Sequence, residues 1–340
     1  MLKIGWKAGP EQYPPKELLD FTILAERSGF DFIDVSDHFH PWSEEGEACF
    51  TWSWLGAAAV QTDKITLGTG LTCPILRYHP SVIAQAASTI SHFAPNRFFL
   101  GVGTGEALNE YSSVGKWPPY SERKKMMIEA IQLIRKLFSR EKVSFNGEFY
   151  QTKQAKLYTA PKSEIPIYVS SVVPNSAKMA GKYGDGLITV GGSDIGKFKR
   201  IIENFDSAAA KEGKNPDDMP KLIELGVAFT DDVEQVVKFR KKYWAGAFLP
   251  AVYNRKLYTP EMCEENGAIL GKEIIKENLC ISSNPEVHFS FIKKYIDLGF
   301  THIVVHFSGP NQAEFLKRYG SEVLPLIREK YKIPMQKEYF

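Results

Sequence analysis

Cysteine is scarce in this chain. Four occur in 340 residues, Cys49, Cys73, Cys263 and Cys280, and no two are spaced C-x-x-C. The expectation is reduced, mostly buried thiols in a cytosolic protein. Long apolar runs are missing as well, since none approaches the length that spans a bilayer. The amino terminus, Met1-Leu-Lys-Ile-Gly-Trp6, enters a strand-like run without the charged and apolar regions of a signal peptide. Neither sign of charge is in large excess. Lys and Arg number 42 against 40 Asp and Glu, a formal net charge of +2, with both signs scattered. That argues against a nucleic-acid or membrane surface built on bulk charge. What is present is 44% hydrophobic residues, enough for a large core, in a length that accommodates one barrel with insertions.

Short apolar runs alternate with longer helical patterns. Eight strands are expected, at Lys3–Trp6, Phe32–Val35, Ile65–Thr69, Phe98–Gly103, Pro166–Ser170, Gly186–Val190, Leu222–Phe229 and His302–His306. Pro15–Arg27 and Tyr120–Phe138 carry their apolar residues on one helical face, and Pro80 sits where a helix would start. Three helix-to-strand joints resemble one another: Arg27-Ser-Gly-Phe, Lys182-Tyr-Gly-Asp and Asp297-Leu-Gly-Phe. Each offers a glycine for the left-handed position that ends a helix. The fold expected is a (β/α)₈ TIM barrel spanning 1–340 as a single domain, with a doubly wound open sheet as the alternative. Insertions are expected near 40–47, 143–158 and 243–280, the second as a hairpin with its turn at Asn146-Gly147.

In this fold chemistry gathers at the carboxyl ends of the strands. Strand two ends in Ser36-Asp37-His38-Phe39-His40-Pro41-Trp42. His38-x-His40 has the look of a metal pair, but the fifth and sixth strands end without a histidine, so no metal is expected. The reading is an acid–base histidine supported by Asp37, against a loop histidine bonded to backbone. Strand four runs into Gly103-Thr104-Gly105-Glu106, where glycine lets backbone approach a planar ligand. Glu106 reads either as a site residue or as an exposed helix start. The pattern lacks the third glycine of a dinucleotide fingerprint. Ser170-Ser-Val-Val-Pro-Asn175 opens a helix whose N–H groups suit a phosphate, or is an ordinary helix start.

Three motifs together carry a resemblance over essentially the whole chain: Ser36-Asp37-His38-Phe39-His40-Pro41-Trp42, Arg77-Tyr78-His79-Pro80 with Ala84-Gln85, and Gly101-Val102-Gly103-Thr104-Gly105-Glu106-Ala107-Leu108-Asn109-Glu110. The chain resembles the deazaflavin-dependent branch of the luciferase-like superfamily. Within it the chain is most similar to coenzyme F420-dependent secondary alcohol dehydrogenases, with F420-dependent glucose-6-phosphate dehydrogenases as near relatives. The resemblance implies a homodimer with the F420 ring in the barrel mouth and a small alcohol or sugar as substrate. It implies catalytic roles for His38, Trp42 and Glu106. It implies cofactor contacts from Asp37, Gly70, Leu71, Gly105, Glu106, Asn109, Ser170, Ser171, Val172 and Val173, and a non-proline cis peptide at Gly70-Leu71. Relatives often carry smaller residues at Val172-Val173.

The implied chemistry is hydride transfer from an alcohol carbon to the deazaflavin. His38 would act as general base, with Asp37 orienting the region. Trp42 would wall the pocket, and Glu106 would supply a proton or polarise the substrate. The sugar-phosphate branch holds phosphate with three cations, and the aligned positions here are Ser193, Glu265 and Asn278. A dianion is disfavoured by that set, unless Lys197, Arg255 or Lys256 compensates. Tyr243, Trp244, Phe248, Leu249, Val252 and Tyr253 would form an apolar wall for a small neutral alcohol, or simply pack the insertion onto the barrel. The rival readings are an FMN-dependent monooxygenase, a reductase of pterin-carried one-carbon units and a non-catalytic flavin-binding barrel.

Overall fold

The computed structural model describes residues 1–244, 246–248 and 257–332. Of the residues singled out above, Leu249, Val252, Tyr253, Arg255, Lys256 and the side chain of Phe248 lie outside the described residues. The described strands are β1 (Lys3–Ala8), β2 (Phe32–Val35), β3 (Thr66–Thr69), β4 (Phe98–Val102), β5 (Val143–Asn146), β6 (Gln151–Ala155), β7 (Ile167–Ser170), β8 (Gly186–Val190), β9 (Lys221–Ala228), β10 (Leu279–Ile281) and β11 (His302–His306). All eight expected strands form. They run parallel in the order β9-β11-β1-β2-β3-β4-β7-β8, and β8 pairs with β9 to close the cylinder. Closure excludes the open sheet.

The closed sheet explains the strand sequences. Successive side chains point to opposite faces. Ile4, Trp6 and Ala8 of β1 join Ile33 and Val35 of β2 in the large core shared with the helices. The alternate positions point inward, where Phe32, Phe99, Tyr168, Ile188, Leu222 and Val304 form a separate apolar layer. Both faces are buried, so the strands read as almost continuous apolar runs. The Pro15–Arg27 and Tyr120–Phe138 helices have the expected ends, and Pro80 opens the Pro80–Phe93 helix.

Two of the three similar joints behave as expected. Gly29 and Gly299 have φ of 86° and 108°. Gly184 does not, ending the Pro174–Tyr183 helix at φ −91°. Its glycine serves close approach instead, because a Cβ there would lie 2.8 Å from the Ala180 carbonyl oxygen and 3.0 Å from Val169 Cγ2.

The insertions take distinct forms. β5 and β6 make the hairpin outside the barrel sheet, but Asn146 pairs with Gln151 instead of turning. The connection is Gly147–Tyr150, and the Glu129 carboxylate accepts N–H bonds from Glu148, Phe149 and Tyr150 at 2.6, 3.0 and 3.2 Å. The expected insertion at 243–280 begins inside the Val233–Trp244 helix and ends in β10, a further parallel strand beside β9. The 40–47 loop bonds to neighbouring segments. Glu47 N–H donates to the Glu11 carbonyl at 3.0 Å, and Glu44 N–H donates to Glu264 at 3.0 Å. All four cysteines are free, and three are buried. No described helix is long and apolar enough to cross a membrane.

Candidate active site

Residues at the mouth come from the loops that leave β1, β2 and β4. Strand β2 ends at Val35, and the next three residues carry the chain to His38. His38 Nδ1 lies 3.1 Å from Glu11 Oε1, and its Nε2 lies 3.7 Å from Glu106 Oε2. Buried Trp42 packs edge-on to the imidazole with ring centroids 5.4 Å apart. His38, Trp42 and Glu106 are therefore brought together as expected, and Glu11 joins them. Both Glu11 carboxylate oxygens and His38 Nδ1 are buried without a hydrogen-bond partner of good geometry. Leaving such groups unmet costs about 1–3 kcal/mol each, so this corner is shaped for something other than stability.

Burial sets the protonation states. It drives the His38 imidazole down to about 3, with Lys7 and Arg77 adding to the effect, so the ring is neutral at pH 7. It raises Glu106 to about 8, and the Glu11 and Glu110 carboxyls push the same way. It raises Glu11 to about 7 against the pull of Lys7. Titratable neighbours pushed apart in this way divide the roles of proton acceptor and proton carrier.

Asp37 does not support His38. Its carboxylate is taken up by Thr72, by Arg77 at 3.1 Å and by Tyr78 at 3.0 Å. Arg77 also donates to the Asp37 carbonyl at 2.6 Å. Asp37 thus ties the loop after β2 to the segment after β3, and Glu11 takes the position beside the histidine.

The segments assigned to the cofactor converge. Gly70-Leu71 is a cis peptide, as the resemblance implied. A Cβ on Gly103 would meet Leu71 Cδ1 at 2.9 Å and Ser170 Cβ at 3.7 Å, which places the ends of β3, β4 and β7 side by side. Gly105 has φ 77°, so a residue with a Cβ would be strained there. Glu106 precedes the Ala107–Val114 helix without capping it by its side chain, and it is part-buried rather than exposed. Asn109 accepts N–H bonds from Phe39 and His40 at 2.8 and 3.2 Å, and donates to Glu106 at 3.5 Å. It therefore couples the His38 loop to the Glu106 turn. Ser171 donates to the Val173 carbonyl at 2.8 Å and meets the Ser176 hydroxyl at 2.6 Å, shaping the turn before Pro174. Val172 is half-buried and Val173 exposed.

On the substrate side, Ser193 N–H donates to Asn278 Oδ1 at 3.1 Å, so two of the three aligned positions touch. Glu265 is exposed on the Pro260–Ala268 helix. Trp244 packs with Trp42, Leu108 and Cys263, with Tyr243, Ala247 and Leu257 beside them. The described part of the aromatic insertion thus reaches Trp42 itself.

The motif reading did not single out Lys7, Glu11, Asp34 or Glu224. Lys7 Nζ lies 3.5 Å from Asp34 and 3.3 Å from Glu224, and Glu224 meets His306 at 2.8 Å. For Lys7, Asp34 and Glu224 the signal was a charge inside an otherwise apolar strand, as in Phe32-Ile-Asp-Val35 and Leu222-Ile-Glu-Leu225. Among the described residues no group of three or more His, Cys, Asp and Glu has a geometry that would hold a metal ion.

A family model described as luciferase-like monooxygenase matches residues 2–302. An F420-dependent glucose-6-phosphate dehydrogenase of Intrasporangium calvum is 38% identical over 333 residues, covering 96% of this chain and 99% of the relative. One of Mycolicibacterium gilvum is 37% identical, covering 96% and 98%. Among solved structures, an F420-dependent secondary alcohol dehydrogenase in complex with an F420-acetone adduct is 34% identical with a TM-score of 0.92, covering 96% of this chain and 99% of that one. On the strength of the match over 2–302 and of these relatives, the chain belongs to the luciferase-like family.

Proposed function

We propose that this chain is a coenzyme F420-dependent oxidoreductase that oxidises a small secondary alcohol. The observation that carries this reading is the neutral His38 held between Glu11 and Glu106, at the same mouth as the adjoining Leu71, Gly103 and Ser170. A flat ring fits where glycines leave out side chains. Asp37, Gly70, Leu71, Gly105, Glu106, Asn109 and the Ser170, Ser171, Val172, Val173 turn would hold the cofactor. F420, when bound, supplies the ring carbon that accepts a hydride.

The chain's own residues handle the proton. The Nε2 atom of His38 takes the proton of the alcohol hydroxyl, and the Glu11 carboxylate, 3.1 Å from Nδ1, steadies the positive charge that results. Glu106 holds a proton near neutral pH and is the carrier on the other side. Trp42 closes the pocket and excludes water. We take residues 1–340 as one catalytic unit in a cytoplasmic homodimer, and light scattering at a monomer mass would overturn the dimer.

The relatives named as glucose-6-phosphate dehydrogenases favour a sugar phosphate as the second reading. Ser193 and Asn278, a neutral hydrogen-bonded pair, favour the uncharged alcohol. Measured at one pH and salt with F420 saturating, kcat/KM should be higher for isopropanol than for glucose 6-phosphate. A clear preference for the sugar phosphate would mean that Lys197 or Arg255 supplies the missing charge. Titration of the apo-protein with F420 and with FMN separates the dehydrogenase from the monooxygenase. Binding of FMN alone would sink the cofactor assignment.

A further inference from the structure

The barrel interior is layered by charge. Two residues beyond the apolar inner layer, on the same inward register, stand Asp34, Gly101, Ser170, Val190, Glu224 and His306. The β1 residue paired with Asp34 is Lys7. The half of this upper layer on β9, β11, β1 and β2 carries ionisable side chains, and the half on β4 and β7 is small. A lysine is almost never fully buried unless it is paired, yet Lys7 is 3% exposed. Burial works against its charge, and Asp34 and Glu224 more than restore it.

The Lys7 ammonium reaches beyond its carboxylates. Nζ donates to the Gly70 carbonyl oxygen at 2.5 Å. That oxygen belongs to the cis peptide whose Leu71 side chain packs against Gly103. Gly70 itself is pressed against Asp34, because a Cβ there would lie 2.2 Å from Oδ2. Three adjacent strands are therefore locked at one point: β1 by Lys7, β2 by Asp34 and β3 by Gly70. Glu224 on β9, with β11 lying between β9 and β1, holds the ammonium at 3.3 Å.

We propose that Lys7 is a positioning residue of the reaction: it grips the Gly70 carbonyl, so fixing the Gly70–Leu71 corner assigned to the cofactor, and keeps a cation near Glu11, His38 and Glu106. The inference rests on the cofactor reading above. It assigns Lys7 no contact with substrate. The groups that act on Glu106 are the Glu11 and Glu110 carboxyls, which raise its proton affinity, and Lys7, which lowers it. The Lys7 charge is anchored in turn by Asp34 and Glu224, with His306 behind Glu224.

The test compares the wild-type chain with Lys7→Met, which keeps an unbranched side chain one atom shorter and removes both donor and charge. Apo-protein is titrated with F420 by fluorescence, and kcat, KM for isopropanol and the pH profile are then measured. Lys7→Met should bind F420 about tenfold more weakly or worse, since small displacements of a positioned group carry losses of that order. Its kcat should fall more than KM for the alcohol changes, and the alkaline limb of the profile should move to higher pH. If Lys7→Met does not fold, Lys7→Met/Asp34→Asn removes the carboxyl left unpaired and carries the same expectations. A folded variant with wild-type F420 affinity and an unmoved alkaline limb would make Lys7 purely structural and overturn the proposal. If the wild-type chain fails to bind F420, the cofactor reading falls, and this inference with it, before any variant is compared.

Discussion

At the scale of single residues, the candidate site holds protons where bulk water would not leave them. Glu106 is raised to about 8 by burial, so it is protonated at neutral pH and loses its proton as pH rises through that value. The protonated form is the useful one if Glu106 is the proton carrier. Alcohol oxidation should then stay level toward pH 7 and fall above about 8, and Glu106→Gln should lose that alkaline limb. A profile in Glu106→Gln with the same limb would assign it to another group. For His38→Ala, turnover should fall by about 10²-fold or more, the usual worth of a positioned base, while F420 affinity stays at the wild-type value. Near-normal turnover would remove His38 from the chemistry. His38, Trp42 and Glu106 were legible because each lies in a compact motif. Glu11 was not, because four residues after a lysine on the first strand it carries no motif, and only folding sets it 3.1 Å from His38.

At the scale of elements, short turns do more positioning than the helices and strands they join. The turn before Glu106 depends on Gly105, at φ 77°, where a Cβ would lie 2.7 Å from Cys73 Sγ. Arg123 holds the same turn from the Tyr120–Phe138 helix, donating to the Thr104 and Gly105 carbonyls at 3.0 and 3.3 Å. Gly105→Ala should therefore lower the unfolding free energy by about 1–3 kcal/mol, read by urea titration, and weaken F420 binding in parallel. Unchanged stability would show that Cys73 and the turn relax freely. Strand and helix positions were readable from periodicity, because both faces of each barrel strand are buried. The Asn146-Gly147 turn was misplaced by one step, because the Glu129 carboxylate organises a four-residue connection from a distant helix. No local pattern reports such a contact.

At the scale of the whole molecule, Trp244 is one of the residues that join the barrel mouth to the insertion after β9. Trp244 packs with Trp42 and Leu108, stands edge-on to His306 at 4.3 Å, and donates to Gln12 at 3.0 Å. Trp244→Ala should cost about 3–5 kcal/mol of stability, as expected for truncating a buried aromatic. It should also raise KM for the alcohol more than it changes F420 affinity, because the residues proposed to hold the cofactor lie on the β3, β4 and β7 side. Equal losses in both would place the insertion over the cofactor instead.

The sequence by itself determined the eight-strand rhythm, the family and the motif residues of the candidate site. These follow from local periodicity, glycine placement and short contiguous patterns, all of which are carried along the chain. Tertiary structure alone decided that the sheet closes through β8 and β9. It decided that Asp37 binds Arg77, Thr72 and Tyr78 while Glu11 attends His38. It also decided that Lys7, Asp34 and Glu224 meet inside the barrel. Each of these joins residues far apart in the chain, and which carboxylate pairs with which cation is set by burial and distance. Neither quantity exists until the strands are in place.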